Sequence, residues 1–389
     1  MLRWPPSLIS LTALPRLATR PAVTAHNHSA LYDIAIAGAG MAGASVAATL
    51  AQTGARVLLI EAESQPGYHA TGRSAAFWTE SYGGPGVQPL TTASGPYLRQ
   101  GGYLAPRGAL TLARSGQEAE LAGFIARYQA LGITVERLDR SALEARLPGL
   151  MPDWSCGAFE PDCCDIDVAR LHQDYLAAAR RAGADLRCSA GVVAAERSGD
   201  GWQIGLGDGS TVKAALLVNA AGAWADDLAQ LAGVRPLGLT PFRRTIAQVR
   251  TDPVPPADLP LVLDLAESFY FKPEAGQVWL SPHDEVASPA CDAAPEELAV
   301  AQAIDRLHSV VDLRVARVDH KWAGLRTFAP DRLPVFGFDR REPRFFWFAG
   351  QGGFGIQTAP AAAQLAAALI TGRGGGAVDP LPYAPARFG

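Results

Sequence analysis

A glycine loop set between a strand and a helix constrains this chain more than any other feature. LYDIAIAGAG, starting at Leu31, is a short apolar run that stops at glycine. Met41–Gln52 follows, with Val46 and Leu50 on one helical face, and Gly54 closes it. ARVLLIEA then reads as a buried strand. The three form a βαβ unit, the start of a parallel sheet. At its first turn stands GAGMAG, Gly38–Gly43, which satisfies GxGxxG in its proper setting. Gly38 permits a tight turn, Gly40 lets backbone approach a pyrophosphate, and Gly43 lets helix and strand pack closely. The helix N-terminus adds amide donors and the positive end of a dipole. Glu61 ends the second strand, where an acid meets ribose hydroxyls. Gly38, Ala39, Gly40, Met41, Ala42, Gly43, Glu61 and Ala62 are therefore expected to hold a dinucleotide.

Farther along, Glu63–Arg99 reads as loop, and helical patterns cover Glu118–Leu131, Ser141–Leu147 and Asp167–Ala182. Ser141 and Glu144 have capping-box spacing. ALLVNAAGAW at 215–224 is a second strand-to-glycine junction, and FFWFAG leads through QGGFGIQT into a helix over Ala361–Ile370. The region 236–320 is richer in β-branched and aromatic runs. The expected fold is α/β, a Rossmann-like cofactor domain with a second substrate domain on a mixed β-sheet. Segments 31–110, 165–235 and 321–375 are assigned to the first domain, 111–164 and 236–320 to the second. Residues 1–30, with Arg3, Arg16 and Arg20 and no acid, read as a disordered extension, a targeting peptide being the alternative.

The chain has 389 residues, enough for two domains and a sizeable core. A net charge of −4 carries no nucleic-acid footprint. No apolar run has the length of a membrane span. The five cysteines, Cys156, Cys163, Cys164, Cys188 and Cys291, are odd in number and lack CxxC spacing. That argues against a disulfide framework or a zinc site, and fits reduced thiols in a cytoplasm. No metal is expected.

GxGxxG alone does not separate NAD from FAD. A second glycine-rich strand–loop–helix, GQGGFGIQT at 350–358, lies near the far end. Two helix N-termini so distant in sequence can grip one long ligand, at the pyrophosphate and at the flavin carbonyls. Here the chain resembles the D-amino-acid oxidase-like FAD superfamily from Tyr32 to about Arg373. The marks are DIAIAGAGMAGAS with VLLIEA, GYHATGRSAA, VNAAGAWADDLA, HKWAGLRTF and GQGGFGIQT. Within it the likeness is strongest to bacterial D-arginine dehydrogenases, through QPGYHATGRSAA, LAGVRPLGL, ESFYFKP and WAGLRTF. The resemblance implies that Thr71, Gly72, Arg73, Ser74, Ala75 and Ala76 line flavin and pyrophosphate. It places Val193 at the adenine, Gly222 beside the isoalloxazine, and Gly352, Gly353, Phe354, Gly355, Ile356 and Gln357 along the ring edge, with Trp224 also among the cofactor residues. The family's covalent flavin link, where it exists, often uses a C-terminal cysteine. None follows Cys291, so non-covalent FAD is implied.

An amino-acid carboxylate in a dry pocket needs a planar, forked cation. Arg326 in WAGLRTF is the first candidate, and the family's matching arginine binds the carboxylate. If PFRRTIAQV is a strand, only one of Arg243 and Arg244 faces the pocket; the resemblance favours Arg243. Tyr270 and Tyr82 match tyrosines that reach the substrate. Two departures bear on specificity. Ala109 stands where D-arginine dehydrogenases carry an acid for the substrate guanidinium, and Phe77 replaces a loop histidine. A pocket of Phe77, Trp78, Tyr82, Ala109, Leu261, Leu263 and Gly353 suits an apolar or neutral side chain, because a buried cation without a partner costs several kcal/mol. His69, His283 and His320 read as structural.

The expected activity is oxidative deamination of a D-amino acid to a 2-oxo acid and ammonia by hydride transfer to FAD, with oxygen, a quinone or another acceptor closing the cycle. An N-methyl amino acid or 2-hydroxy acid oxidoreductase, or a non-catalytic flavoprotein subunit, are the alternatives.

Overall fold

In the computed structural model, residues 31–373 and 377–389 are described. The expected N-terminal extension lies outside them. Strand β1 (Leu31–Ala37), helix α1 (Met41–Ala51) and strand β2 (Val57–Ile60) form the opening βαβ unit. β1 is central in an eight-stranded sheet, parallel to β2 and to Thr211–Asn219. Phe345–Ala349 and Asp185–Arg187 extend the parallel part. Strict alternation along these strands feeds two cores. Ile36, Leu59, Val218 and Phe346 point to α1, Val168–Arg181 and Ala359–Thr371. Ala35, Leu58, Leu217 and Trp347 point to the other face, covered by the helix Ala225–Leu231. Burial on both faces explains why these strands read as continuous apolar runs.

The second sheet has nine strands and is mixed, since Leu261–Asp264 runs parallel to Ala109–Arg114 while its other pairs are antiparallel. Its spine is a long pair, Thr240–Asp252 against Arg314–Phe328. This pair corrects the expected division at 321, because one strand runs unbroken through it to Phe328. Likewise Ala109–Arg114 pairs wholly within the second sheet and crosses the expected division at 110/111.

Two local expectations also need correction. Gln88–Gln100, read as loop, is a helix despite Pro96 and poor intrinsic propensity. Tertiary packing overrides composition: Leu90, Thr91, Ser94 and Leu98 are buried, and a Cβ at Gly95 would come within 3.0 Å of the Trp78 ring. The helix Arg140–Arg146 is capped by Asp139, which accepts the Ala142 N–H at 2.8 Å, and not by Ser141.

Candidate active site

The sheets meet over a cavity of about 450 Å³, lined at one end by the α1 glycine loop and at the other by Gly352, Gly353, Gly355 and Ile356. The near end is built tightly. Gly38 has φ +98°, and a Cβ there would lie 2.4 Å from the Ala220 carbonyl oxygen. A Cβ on Gly43 would lie 1.7 Å from the Gly38 carbonyl oxygen, so only glycine lets the helix start against the turn. The Ala39 N–H donates to Glu61 at 2.8 Å and the Met41 N–H to Thr71 Oγ1 at 2.9 Å. No side chain at Gly40 caps α1. A cradle that a side chain would fill, a helix N-terminus with no side-chain cap from Gly40 and an acid beside it fit the pyrophosphate and ribose of a dinucleotide.

Most predicted cofactor residues come together here. Gly38, Gly40, Met41, Ala42, Glu61, Ala62, Thr71, Arg73, Ser74, Gly222 and Trp224 line the large cavity with the far glycine loop. Ala75, Ala76 and Gln357 line a smaller adjoining one. Ala39, Gly43 and Gly72 serve the loops through backbone packing. Phe354 packs on Tyr82, ring centroids 5.1 Å apart. Val193 is a correction: it is 57% exposed, and its neighbours Gly191 and Val192 line the cavity instead. Other participants were not singled out in the sequence. Cys291 and Ala221 line the cavity, and His172 hydrogen-bonds the Ala39 carbonyl oxygen at 2.9 Å. Cys291 and His172 lie outside any glycine or arginine pattern, whereas Ala221 sits in the VNAAGAW junction beside Gly222 and could have been read from it.

The substrate candidates split. Arg326 and Arg244 both line the large cavity. Arg243 is a correction. It turns away to pair with Glu296 and, at 3.7 Å, with Asp284. Strand register gives the reason. Phe242 lies opposite Arg326 and Arg244 opposite Gly324, so Arg244 shares a face with Arg326 while Arg243 shares one with Leu325. Gly353 leaves room for the guanidinium: a Cβ there would lie 2.8 Å from Arg326 Nη1.

Arg326 is partly buried, and its hydrogen-bond partner among the described residues is the Tyr82 hydroxyl, 2.8 Å from Nη1. Arg244 is 3% exposed and donates to the Asp284 carbonyl oxygen and to Glu285, yet its Nη1 has no partner among the described residues. Burial and the neighbouring Arg326 charge both push the Arg244 guanidinium down from its ordinary value. Tyr270 lines the small cavity, and its buried hydroxyl is likewise unpartnered. Buried polar groups are rarely left unmatched. Orphan donors beside two cations mark a place for an anion with several acceptor oxygens.

Phe77 and Tyr82 line the small cavity, and Ala109, Leu261 and Leu263 lie in the apolar cluster behind them. Trp78 is a correction. As Phe77's neighbour on a strand it points oppositely, into the helical core, with Nε1 donating to the Thr91 carbonyl oxygen.

The fold and the two glycine loops define a dinucleotide-binding protein. The chain matches the family model DAO, FAD dependent oxidoreductase, over residues 33–369 and belongs to that family. FAD is its cofactor, and the large cavity is where the residues fit it. The chain is 25% identical over 358 residues to hydrogen cyanide synthase subunit HcnC of Pseudomonas aeruginosa, covering 79% of this chain and 84% of that one. It is 28% identical over 222 residues to mitochondrial dimethylglycine dehydrogenase of Mus musculus, covering 51% of this chain and only 25% of that longer protein. Glycine oxidase from Geobacillus kaustophilus shares the fold, with TM-score 0.78, 23% identity and coverage of 91% and 98%. Among the described residues no helix is long and apolar enough to cross a membrane.

Proposed function

We propose that the chain oxidises a D-amino acid with an apolar or neutral side chain to a 2-oxo acid and ammonia. The observation that carries this reading is the group of unmatched donors around Arg326. Arg326 has no carboxylate partner, and Arg244 Nη1 and Tyr270 Oη have no partner at all among the described residues. A substrate carboxylate fills that need, accepting from both guanidinium groups and from the tyrosine. Tyr82 steadies Arg326 from the side. FAD, when bound, supplies the two-electron hydride acceptor. The arginines fix the substrate at its carboxylate, so that only one face of its α-carbon meets the reacting position.

The lining of the small cavity contains Phe77, Tyr82 and Tyr270 and no carboxylate. That lining favours an uncharged side chain over a guanidinium, which would be buried there without a partner. The test is anaerobic flavin reduction by D-alanine, D-methionine and D-arginine. D-alanine or D-methionine is expected to be fastest, and faster reduction by D-arginine would overturn the reading.

A further inference from the structure

The Tyr82 hydroxyl accepts a hydrogen bond from Arg326 Nη1 at 2.8 Å, so its own proton must point elsewhere. His283 Nε2 lies 3.2 Å away, and among the described residues no other acceptor is paired with that hydroxyl. The imidazole also meets the Tyr270 ring edge-on, centroids 5.8 Å apart. His283 itself sits at φ +54°, a left-handed conformation that costs energy for a residue with a Cβ. Such strain persists where the surroundings fix it, and here they do. Asp284 accepts the Thr245 N–H at 2.7 Å and its hydroxyl at 2.8 Å. Glu285 accepts from Arg244 at 3.1 Å and Arg332 at 2.8 Å. Three successive residues are thus fastened around the strand that carries Arg244.

We propose that His283 is a positioning residue for the carboxylate clamp, acting as the hydrogen-bond acceptor that orients the Tyr82 hydroxyl toward Arg326. The inference rests on the carboxylate reading above. Burial first, then the charges of Arg244 and Arg326, push the imidazole down to about 2, so the ring stays neutral and its Nε2 remains an acceptor. It is no base for the substrate amine. It accepts the hydrogen bond of the tyrosine O–H, which leaves an oxygen lone pair facing Arg326 and keeps one guanidinium arm in place. The other arm is then free for the substrate.

The test is the dissociation constant of pyruvate, a redox-inert carboxylate, from oxidised holoenzyme, read by the shift in flavin absorbance. His283→Asn suits the left-handed backbone but is too short to reach Tyr82, whereas His283→Gln reaches it. His283→Asn is expected to weaken pyruvate about fivefold, the worth of one neutral hydrogen bond, and His283→Gln to restore it. In a Tyr82→Phe background His283→Asn is expected to add nothing, which a merely structural histidine would not reproduce. Unchanged affinity in His283→Asn, or an undiminished effect in Tyr82→Phe, overturns the proposal. Should His283→Asn not accumulate with flavin, His283→Gly enters the same cycle. Arg326→Ala separates the two failures. If it binds pyruvate as the wild type does, the carboxylate reading itself is wrong. If it loses pyruvate while the histidine cycle is additive, only the role of His283 is wrong.

Discussion

Replacing Arg326 by alanine removes the cation whose donors are least matched. Among the described residues its hydrogen-bond partner is the Tyr82 hydroxyl at 2.8 Å, so on the proposed reading most of its donors serve the substrate carboxylate. Truncating one partner of a desolvated charge pair costs about 2–5 kcal/mol. Arg326 is only partly buried and Arg244 remains, so the lower half applies. A loss of about 2–3 kcal/mol is expected, roughly 30- to 150-fold in kcat/KM. The loss should fall on KM and on pyruvate affinity alike, because the carboxylate is bound in ground and transition states. The thermal midpoint should hold, since no buried acid is orphaned when Arg326 goes. Arg326→Lys, a point charge without a fork, should fall between. Steady-state kinetics with D-alanine and pyruvate titration read both quantities. A kcat/KM for Arg326→Ala within threefold of wild type would refute the reasoning.

Arg244→Leu should weaken pyruvate at least tenfold while Arg243→Leu changes it less than twofold, and equal effects would contradict the register argument. Gly43→Ala places a Cβ 1.7 Å from the Gly38 carbonyl oxygen; the purified protein should carry little flavin, and a full flavin load would count against the cradle. His172 and His283 both have pKa values held below the ordinary 6.5, chiefly by burial. The unfolded chain therefore binds protons that the folded chain refuses, so their contribution to stability is complete above about pH 6.5 and is lost as pH falls. The thermal midpoint should drop from pH 7 to pH 5, less steeply in His283→Asn, and identical slopes would show that His283 is not the buried neutral group described. Asp139→Ala should cost about 1 kcal/mol of stability as a lost N-cap, measured by urea unfolding; no change would return the cap to Ser141.

The cofactor half was legible because its chemistry is written in backbone. GAGMAG and GQGGFGIQT need glycine at fixed offsets, and strand–turn–helix context fixes where the loops go. The substrate half depends on which way side chains point, and there single steps of strand parity decide. Arg243 against Arg244, Val193 against Val192 and Phe77 against Trp78 are each one residue apart and face opposite ways. The register between Thr240–Asp252 and Arg314–Phe328 settles the first of these, and it exists only once two distant segments pair. His283 was hidden for a related reason. Its neighbour Tyr82 is some 200 residues earlier in the chain, and nothing around His283 in the sequence points to it.

The most direct measurement is anaerobic stopped-flow reduction of the purified holoenzyme by D-alanine, D-methionine, D-arginine, sarcosine and D-lactate, run beside Arg326→Ala. Rapid loss of the oxidised flavin band is expected with a small or apolar D-amino acid, slower loss with D-arginine, and a half-saturating concentration raised roughly 30-fold or more in Arg326→Ala. Reduction by sarcosine or D-lactate alone, or a variant that saturates as the wild type does, would contradict the proposed function.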